Sequence, residues 1–215
     1  MTLRVPRFTV SVLVACVQLL TASAFTLQEV DPFIGTGQAG NCYPGAQAPF
    51  GMISWSPNTT FADYGSVPSR PGYKYDRDQI YGFTVPHLSG VGCHGAQDLP
   101  IMPVRGALND SPVLQRETYA SRFSHARERA HPGYYQVYLD DAQTDVAITV
   151  TARAGLGRFT FASGAVRSIL FRPTQSANGI VAAELSIDPE LGRVTGMVAS
   201  GGFCNRDPKL YDYRL

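Results

Sequence analysis

Tyr134-Tyr135-Gln136-Val137-Tyr138-Leu139, and after it Val146-Ala147-Ile148-Thr149-Val150-Thr151, carry the clearest structural signal in the chain. Successive side chains of a strand point to opposite faces, so Tyr135, Val137 and Leu139 share one side, and Val146, Ile148 and Val150 form the inward set of the next strand. Arg158–Phe161, Ser168–Phe171, Gly179–Ser186 and Arg193–Ala199 continue the series, the last two joined by the hairpin signal Asp188-Pro189-Glu190-Leu191-Gly192. Upstream, from Phe25 to about Pro112, Gly and Pro crowd the chain and the apolar runs are short: Gly51–Trp55, Ile80–Val85 and Leu99–Val104. That texture predicts short strands joined by shaped loops. Strands so closely spaced imply an all-β fold, an antiparallel sandwich or barrel. The one helical candidate is Ser124–Ala130, with Ser124 as its cap and Pro132 ending it.

Composition bounds the rest. The first 24 residues read as a signal peptide, with Arg4 and Arg7 ahead of an apolar stretch from Phe8 to Leu20 and Ala22-Ser23-Ala24 as a small-x-small cleavage pattern. The expected product is exported, periplasmic or extracellular, and begins at Phe25. A rival reading takes Leu13-Val14-Ala15-Cys16 as a lipoprotein signal with Cys16 acylated, but the apolar run continues past that cysteine. Nothing later approaches the roughly 20 apolar residues of a transmembrane helix. Cleavage removes two of 18 basic residues and leaves 16 against 17 acidic ones, a balance with no electrostatic footprint for nucleic acid. Eleven Phe and 11 Tyr argue against disorder.

Three cysteines remain after cleavage, Cys42, Cys93 and Cys204, an odd number for an oxidising compartment. One disulfide, Cys93 with Cys204, plus a free thiol is one expectation; three unpaired buried thiols are the other. At the far end, Lys209–Leu215 alternates like the opening of another strand and the sequence then stops, which reads as a truncated gene product or an artificial boundary.

Candidate chemistry is sparse. His87, Cys93, His94 and Asp98 lie within twelve positions, yet His-x5-Cys-His fits no zinc spacing, so a loop that orients a ligand is expected rather than a metal site. Ser89 lacks the flanking glycines of a nucleophile elbow. Gly35-Thr36-Gly37 and Gly155-Leu156-Gly157 lack the rest of a phosphate-cradling loop and read as tight turns. The carboxylate pairs Asp76/Asp78, Asp140/Asp141 and Asp188/Glu190 satisfy a glycosidase on paper, but each falls at a turn where Asp bonds its own backbone. Asn58-Thr59-Thr60 is a formal glycosylation sequon. The loop aromatics Tyr43, Phe50, Trp55, Phe61, Tyr64, Tyr73, Tyr75 and Tyr81 suit either the apolar faces of a sugar or a β-core.

The motifs Asp31-Pro32-Phe33-Ile34-Gly35-Thr36-Gly37, Tyr43-Pro44-Gly45-Ala46, Ala48-Pro49-Phe50-Gly51-Met52, Ser56-Pro57-Asn58-Thr59, Gly72-Tyr73-Lys74-Tyr75, Ile80-Tyr81-Gly82-Phe83, His87-Leu88-Ser89-Gly90-Val91-Gly92-Cys93, Asp98-Leu99-Pro100-Ile101-Met102-Pro103-Val104 and Pro132-Gly133-Tyr134-Tyr135 follow one another in order. In order and spacing the series resembles the N-terminal domain of glycoside hydrolase family 92, the calcium-dependent exo-acting α-mannosidases. The resemblance implies a β-sandwich over residues 25–215 packed against a helical (α/α)6 barrel, with mannose-containing glycans bound at their interface. It implies inverting hydrolysis, one acid protonating the leaving oxygen while a base activates water. Acid, base and Ca2+ ligands would come from the C-terminal helical domain, so no catalytic residue is assigned to this chain, which is expected to be inactive alone. Phe50 and Gly51 are implied mannose contacts, and Tyr73, His87 and Asp98 lie near the cleft or serve as loop scaffolding. Phe61–Pro71 lacks the Trp that some members carry there, which leaves linkage preference open. Alternatives are a stand-alone carbohydrate-binding module and a non-functional remnant of a disrupted gene.

Overall fold

The computed structural model describes residues 26–60, 70–93, 95–109, 111, 116–205, 207–210 and 212–215. The amino-terminal segment expected to be a signal peptide, with Cys16, the aromatics Phe61 and Tyr64, and His94 lie outside the described residues. The chain divides into two compact units, Met1–Val30 and Asp31–Leu215. Among the described residues of the first, a 3-10 turn spans Leu27–Glu29, and the Glu29 carboxylate accepts the Thr26 N–H at 2.8 Å.

The second unit is built from strands β1 (Ala46–Gln47), β2 (Ser54–Asn58), β3 (Gln79–Ile80), β4 (Gly82–Val85), β5 (Asp98–Arg105), β6 (Ser121–His131), β7 (Tyr134–Leu139), β8 (Thr144–Val150), β9 (Gly155–Phe161), β10 (Arg167–Phe171), β11 (Gly179–Asp188), β12 (Arg193–Gly201) and β13 (Tyr213–Arg214). A short 3-10 turn, Arg116–Tyr119, precedes β6, and no α-helix occurs among the described residues. The strands form three antiparallel sheets, ordered β1-β2-β4-β5-β10, β3-β6-β7-β8-β9 and β11-β12-β13.

The first two sheets sandwich one core. Trp55, Phe83, Met102 and Val104 come from one sheet; Ile80, Phe123, Tyr135, Val137, Leu139, Val146 and Ile148 come from the other. The alternation read from the sequence therefore names the inner face: Tyr135, Val137 and Leu139 are buried, and Val150 packs against the core edge. Removing these side chains from water is the main favourable term that holds the sheets together.

Three local expectations need correction. Ser124–Ala130 is not a helix but the middle of β6, where five positions along β6 run against two on β7 between Phe123 and Glu128. Ser124 Oγ accepts the Ala126 N–H at 3.3 Å, so the residue read as a cap does start a turn, within a bulged strand. Ile80–Val85 is not one strand, since β3 and β4 belong to different sheets. Gly155-Leu156-Gly157 is strand rather than turn. A Cβ on Gly157 would stand 2.6 Å from Trp55 Cη2 and one on Gly155 3.0 Å from Trp55 Cε3, so the glycines make room for the indole.

Candidate functional site

β1 leads into the turn Ala48-Pro49-Phe50-Gly51-Met52, which is held at both ends. The Gly51 N–H donates to Ala48 O at 3.0 Å and the Met52 N–H to Ala152 O, between β8 and β9, at 2.7 Å. Phe50 adopts φ 55°, a left-handed conformation unusual for a bulky side chain, and its ring is fully exposed. Met52 beside it is also exposed. Gly51 gives room for close backbone approach: a Cβ there would lie 3.1 Å from Ala48 O and 3.3 Å from Ala152 Cα.

A buried polar layer accompanies this turn. Tyr43 donates its hydroxyl to Gln47 Oε1 at 2.6 Å, and its ring lies 4.9 Å from that of His87. Ser54 Oγ accepts the His87 N–H at 2.7 Å and donates to His87 O at 3.0 Å. On the His87 ring, Nδ1 is 2.8 Å from Pro71 O and Nε2 is 2.5 Å from Thr84 Oγ1. A carbonyl only accepts, so Nδ1 carries the proton and Nε2 receives the Thr84 hydroxyl. Burial outweighs these bonds and lowers the His87 pKa to about 4, which keeps the ring neutral.

Tyr73 is wholly buried and donates to Glu128, at 2.9 Å to Oε1 and 3.1 Å to Oε2. The same carboxylate accepts the Tyr135 hydroxyl at 2.5 Å and lies 2.5 Å from His125 Nδ1, while Tyr75 stacks on His125 at 4.0 Å. Burial, reinforced by the negative charge of Glu128, pushes the Tyr73 hydroxyl far above the ordinary phenol range. Asp98 is buried at the start of β5. Its Oδ2 accepts Ser200 Oγ at 2.9 Å and the Tyr213 hydroxyl, which links the sandwich to the third sheet. Burial raises its pKa, against the lowering effect of the Ser176, Tyr213 and Ser200 hydroxyls.

The residues singled out from sequence thus fall into two groups. Phe50 and Gly51 form an accessible turn, whereas the Tyr73, His87 and Asp98 side chains are buried against protein partners, and Asp98 Oδ1 has no hydrogen-bond partner among the described residues. Sequence reasoning missed Ser54, Gln97 and Glu128. Gln97, at φ 63°, accepts from Asn58 Nδ2 at 3.0 Å and donates to Arg70 O at 3.0 Å. The sequon asparagine is therefore a buried structural donor. Asp188 and Asp141 bond nearby backbone, Oδ1 of Asp188 accepting Leu191 N–H at 3.0 Å and Oδ2 of Asp141 accepting Arg122 N–H at 2.8 Å.

Cys93 is joined to Cys204 by a disulfide and Cys42 is free. Among the described residues no group of three or more His, Cys, Asp or Glu side chains is placed to hold a metal ion.

The N-terminal domain of glycosyl hydrolase family 92 matches residues 29–214. An uncharacterised secreted glycosidase of Arthroderma benhamiae is 26% identical over 179 residues, which cover 78% of this chain and 22% of that protein. A family 92 α-mannosidase of Bacteroides thetaiotaomicron, solved with mannoimidazole, is 30% identical with a TM-score of 0.67, covering 80% of this chain and 23% of its own. A family 92 inverting mannosidase of the same organism is 26% identical with a TM-score of 0.64, over 82% of this chain and 23% of its own. The chain spans less than a quarter of the length of these relatives. A match across nearly all of the described strands, with the same fold in solved members, places this chain in glycosyl hydrolase family 92 as its N-terminal domain.

Proposed function

We propose that this chain is the exported, substrate-shaping N-terminal domain of an α-mannosidase that trims mannose from glycans with inversion, and that it is inactive by itself. The observation that carries the reading is Phe50, an apolar ring held in water on a left-handed turn by two backbone hydrogen bonds. Such a residue costs stability where it stands and is retained for what it contacts. Phe50 and Gly51 meet the terminal mannose; Tyr73, His87 and Asp98 act through the loops that they brace. The Cys93–Cys204 disulfide, the secreted Arthroderma relative and the amino-terminal apolar segment support export. Acid, base and calcium belong to a C-terminal helical domain, where the acid protonates the leaving oxygen as the base activates water.

The exposed Phe50 also suits a stand-alone carbohydrate-binding module. Calorimetric titration of the 215-residue protein with mannose and mannobiose separates the two. Silence is expected for a domain that supplies only part of a pocket, whereas millimolar or tighter binding favours the module.

A further inference from the structure

Asp98 stands where the sandwich meets the third sheet, on a stretch of unusual backbone. Ala96, Gln97 and Leu99 around it adopt φ 59°, 63° and 48°, left-handed values that residues with a Cβ avoid. Backbone bonds pin this stretch to several neighbours: the Gln97 N–H donates to Pro86 O at 2.8 Å, the Leu99 N–H to Gln175 O at 3.2 Å, and Ala96 O accepts the Ala177 N–H at 3.0 Å. The result is a fully buried carboxyl aimed at β12 and β13.

Its two oxygens are served unequally. Oδ2 accepts the Ser200 hydroxyl at 2.9 Å and the Tyr213 hydroxyl, while Oδ1 has no hydrogen-bond partner among the described residues. The Tyr213 hydroxyl gives its proton to Asp98 and accepts from Asn178 Nδ2 at 3.3 Å, which leaves Asn178 Oδ1 as a second buried acceptor without a donor. Ser176 Oγ, beside the carboxyl, accepts the Asn178 N–H at 2.8 Å. The polar groups that face Asp98 are therefore Ser200 from β12, Tyr213 from β13 and Ser176 from the segment after β10, while β4 sets Val85 opposite it. Tyr213 is the titratable one, and burial raises its hydroxyl well above the ordinary phenol range, so it stays neutral. Among the described residues no Lys, Arg or His forms an ion pair with Asp98.

An ionised carboxylate here is a buried charge with two donors on one oxygen, none on the other and no counter-ion, which is costly. A proton on Oδ1 removes the charge and turns an acceptor without a donor into a donor, in a cluster with acceptors to spare at Asn178 Oδ1 and Ser176 Oγ. We propose that Asp98 carries this proton and works as a neutral latch between β5 and the third sheet, closed while the proton is bound and weakened when it leaves. Opening breaks one O–H bond, the proton passing to water and the charge staying on the carboxylate. Because burial raises the folded pKa, the folded state holds the proton more tightly than the unfolded chain. The contribution of the latch is thus fully present below the ordinary aspartate value of 3.8 and is lost as the pH rises through the raised folded value.

The test follows the Asp98 carboxyl carbon by NMR through a pH titration of the 215-residue protein, its signal assigned through the backbone. The midpoint is expected above 3.8, and Tyr213→Phe, which removes a donor from Oδ2, is expected to move it higher still. Urea denaturation over the same range supplies the second readout. Asp98→Asn keeps an acceptor and a donor in place without the charge, so it is expected to gain stability relative to the parent as the pH rises. A midpoint at or below 3.8, or an Asp98→Asn protein that loses ground to the parent with rising pH, overturns the proposal. If Asp98→Asn does not fold, the titrations of the parent and of Tyr213→Phe decide alone. Neither readout involves mannose, so failure here leaves the mannosidase reading standing.

Discussion

Phe50 and Gly51 are adjacent, yet the structure assigns them opposite sensitivities. Phe50 packs against nothing that truncation would empty, so Phe50→Ala is expected to leave Tm within about 0.5 kcal/mol equivalent of the parent. Gly51→Ala forces a Cβ to within 3.1 Å of Ala48 O and 3.3 Å of Ala152 Cα, and is expected to cost about 1 kcal/mol or more. Thermal denaturation of the two variants checks the pair, and a larger loss in Phe50→Ala would show that the ring is a core residue. His87 carries a pH dependence whose sign follows from its neutral, buried ring. Its folded pKa of about 4 lies below the ordinary 6.5, so as pH falls the unfolded chain takes up the proton first. The stabilisation is therefore complete above about pH 6.5 and is lost as the pH falls to about 4, amounting to roughly 3 kcal/mol. Asp98 acts in the opposite sense, because its raised pKa makes the folded state the better proton acceptor. Urea denaturation between pH 4 and 7 should show a slope that His87→Gln flattens; an unchanged slope would mean that the ring titrates alike in both states.

At the scale of elements, β7 and β8 were legible because each has one face in the core and one in water, which writes a period of two into the sequence. The hairpin at Asp188–Gly192 was legible from its turn chemistry, and Asp188 duly bonds the Leu191 N–H. β6 was not. Its residues 124–130 suit a helix locally, but pairing with β7 and the burial of Glu128 beneath Tyr73 and Tyr135 override that preference. Gly155 and Gly157 were misread for the same kind of reason, since their role lies in the distant Trp55. That contact makes a prediction: Gly157→Ala, with its Cβ 2.6 Å from Trp55 Cη2, should cost about 1–3 kcal/mol. Trp55→Phe in the same protein should recover part of the loss, because the two sites are coupled through contact. A double-mutant cycle on thermal stability measures the coupling, and additive losses would show that the glycine is not there for the indole. For the candidate site, the Phe50–Gly51 turn was readable as a motif. The burial of Tyr73, His87 and Asp98 depends on distant partners such as Glu128, Ser54 and Tyr213, which are 55, 33 and 115 positions away, and was not.

Across the whole molecule, two devices tie the third sheet to the sandwich: the Asp98 contacts with Ser200 and Tyr213, and the Cys93–Cys204 disulfide, whose ends are 111 residues apart. A cross-link over a loop of this length restricts the unfolded chain by about 4–5 kcal/mol in the chain-entropy picture. Reduction should therefore lower the Tm markedly, and an unchanged melting curve under reductant would show that the sheet is held without it. The fold presents a braced sandwich and an exposed Phe50 turn, the two features on which the proposed substrate-shaping role rests. The most direct measurement is release of mannose from a synthetic α-mannoside by the purified 215-residue protein in the presence of calcium. No release above the uncatalysed rate is predicted; calcium-dependent release would contradict the account by placing the catalytic acid and base within this chain.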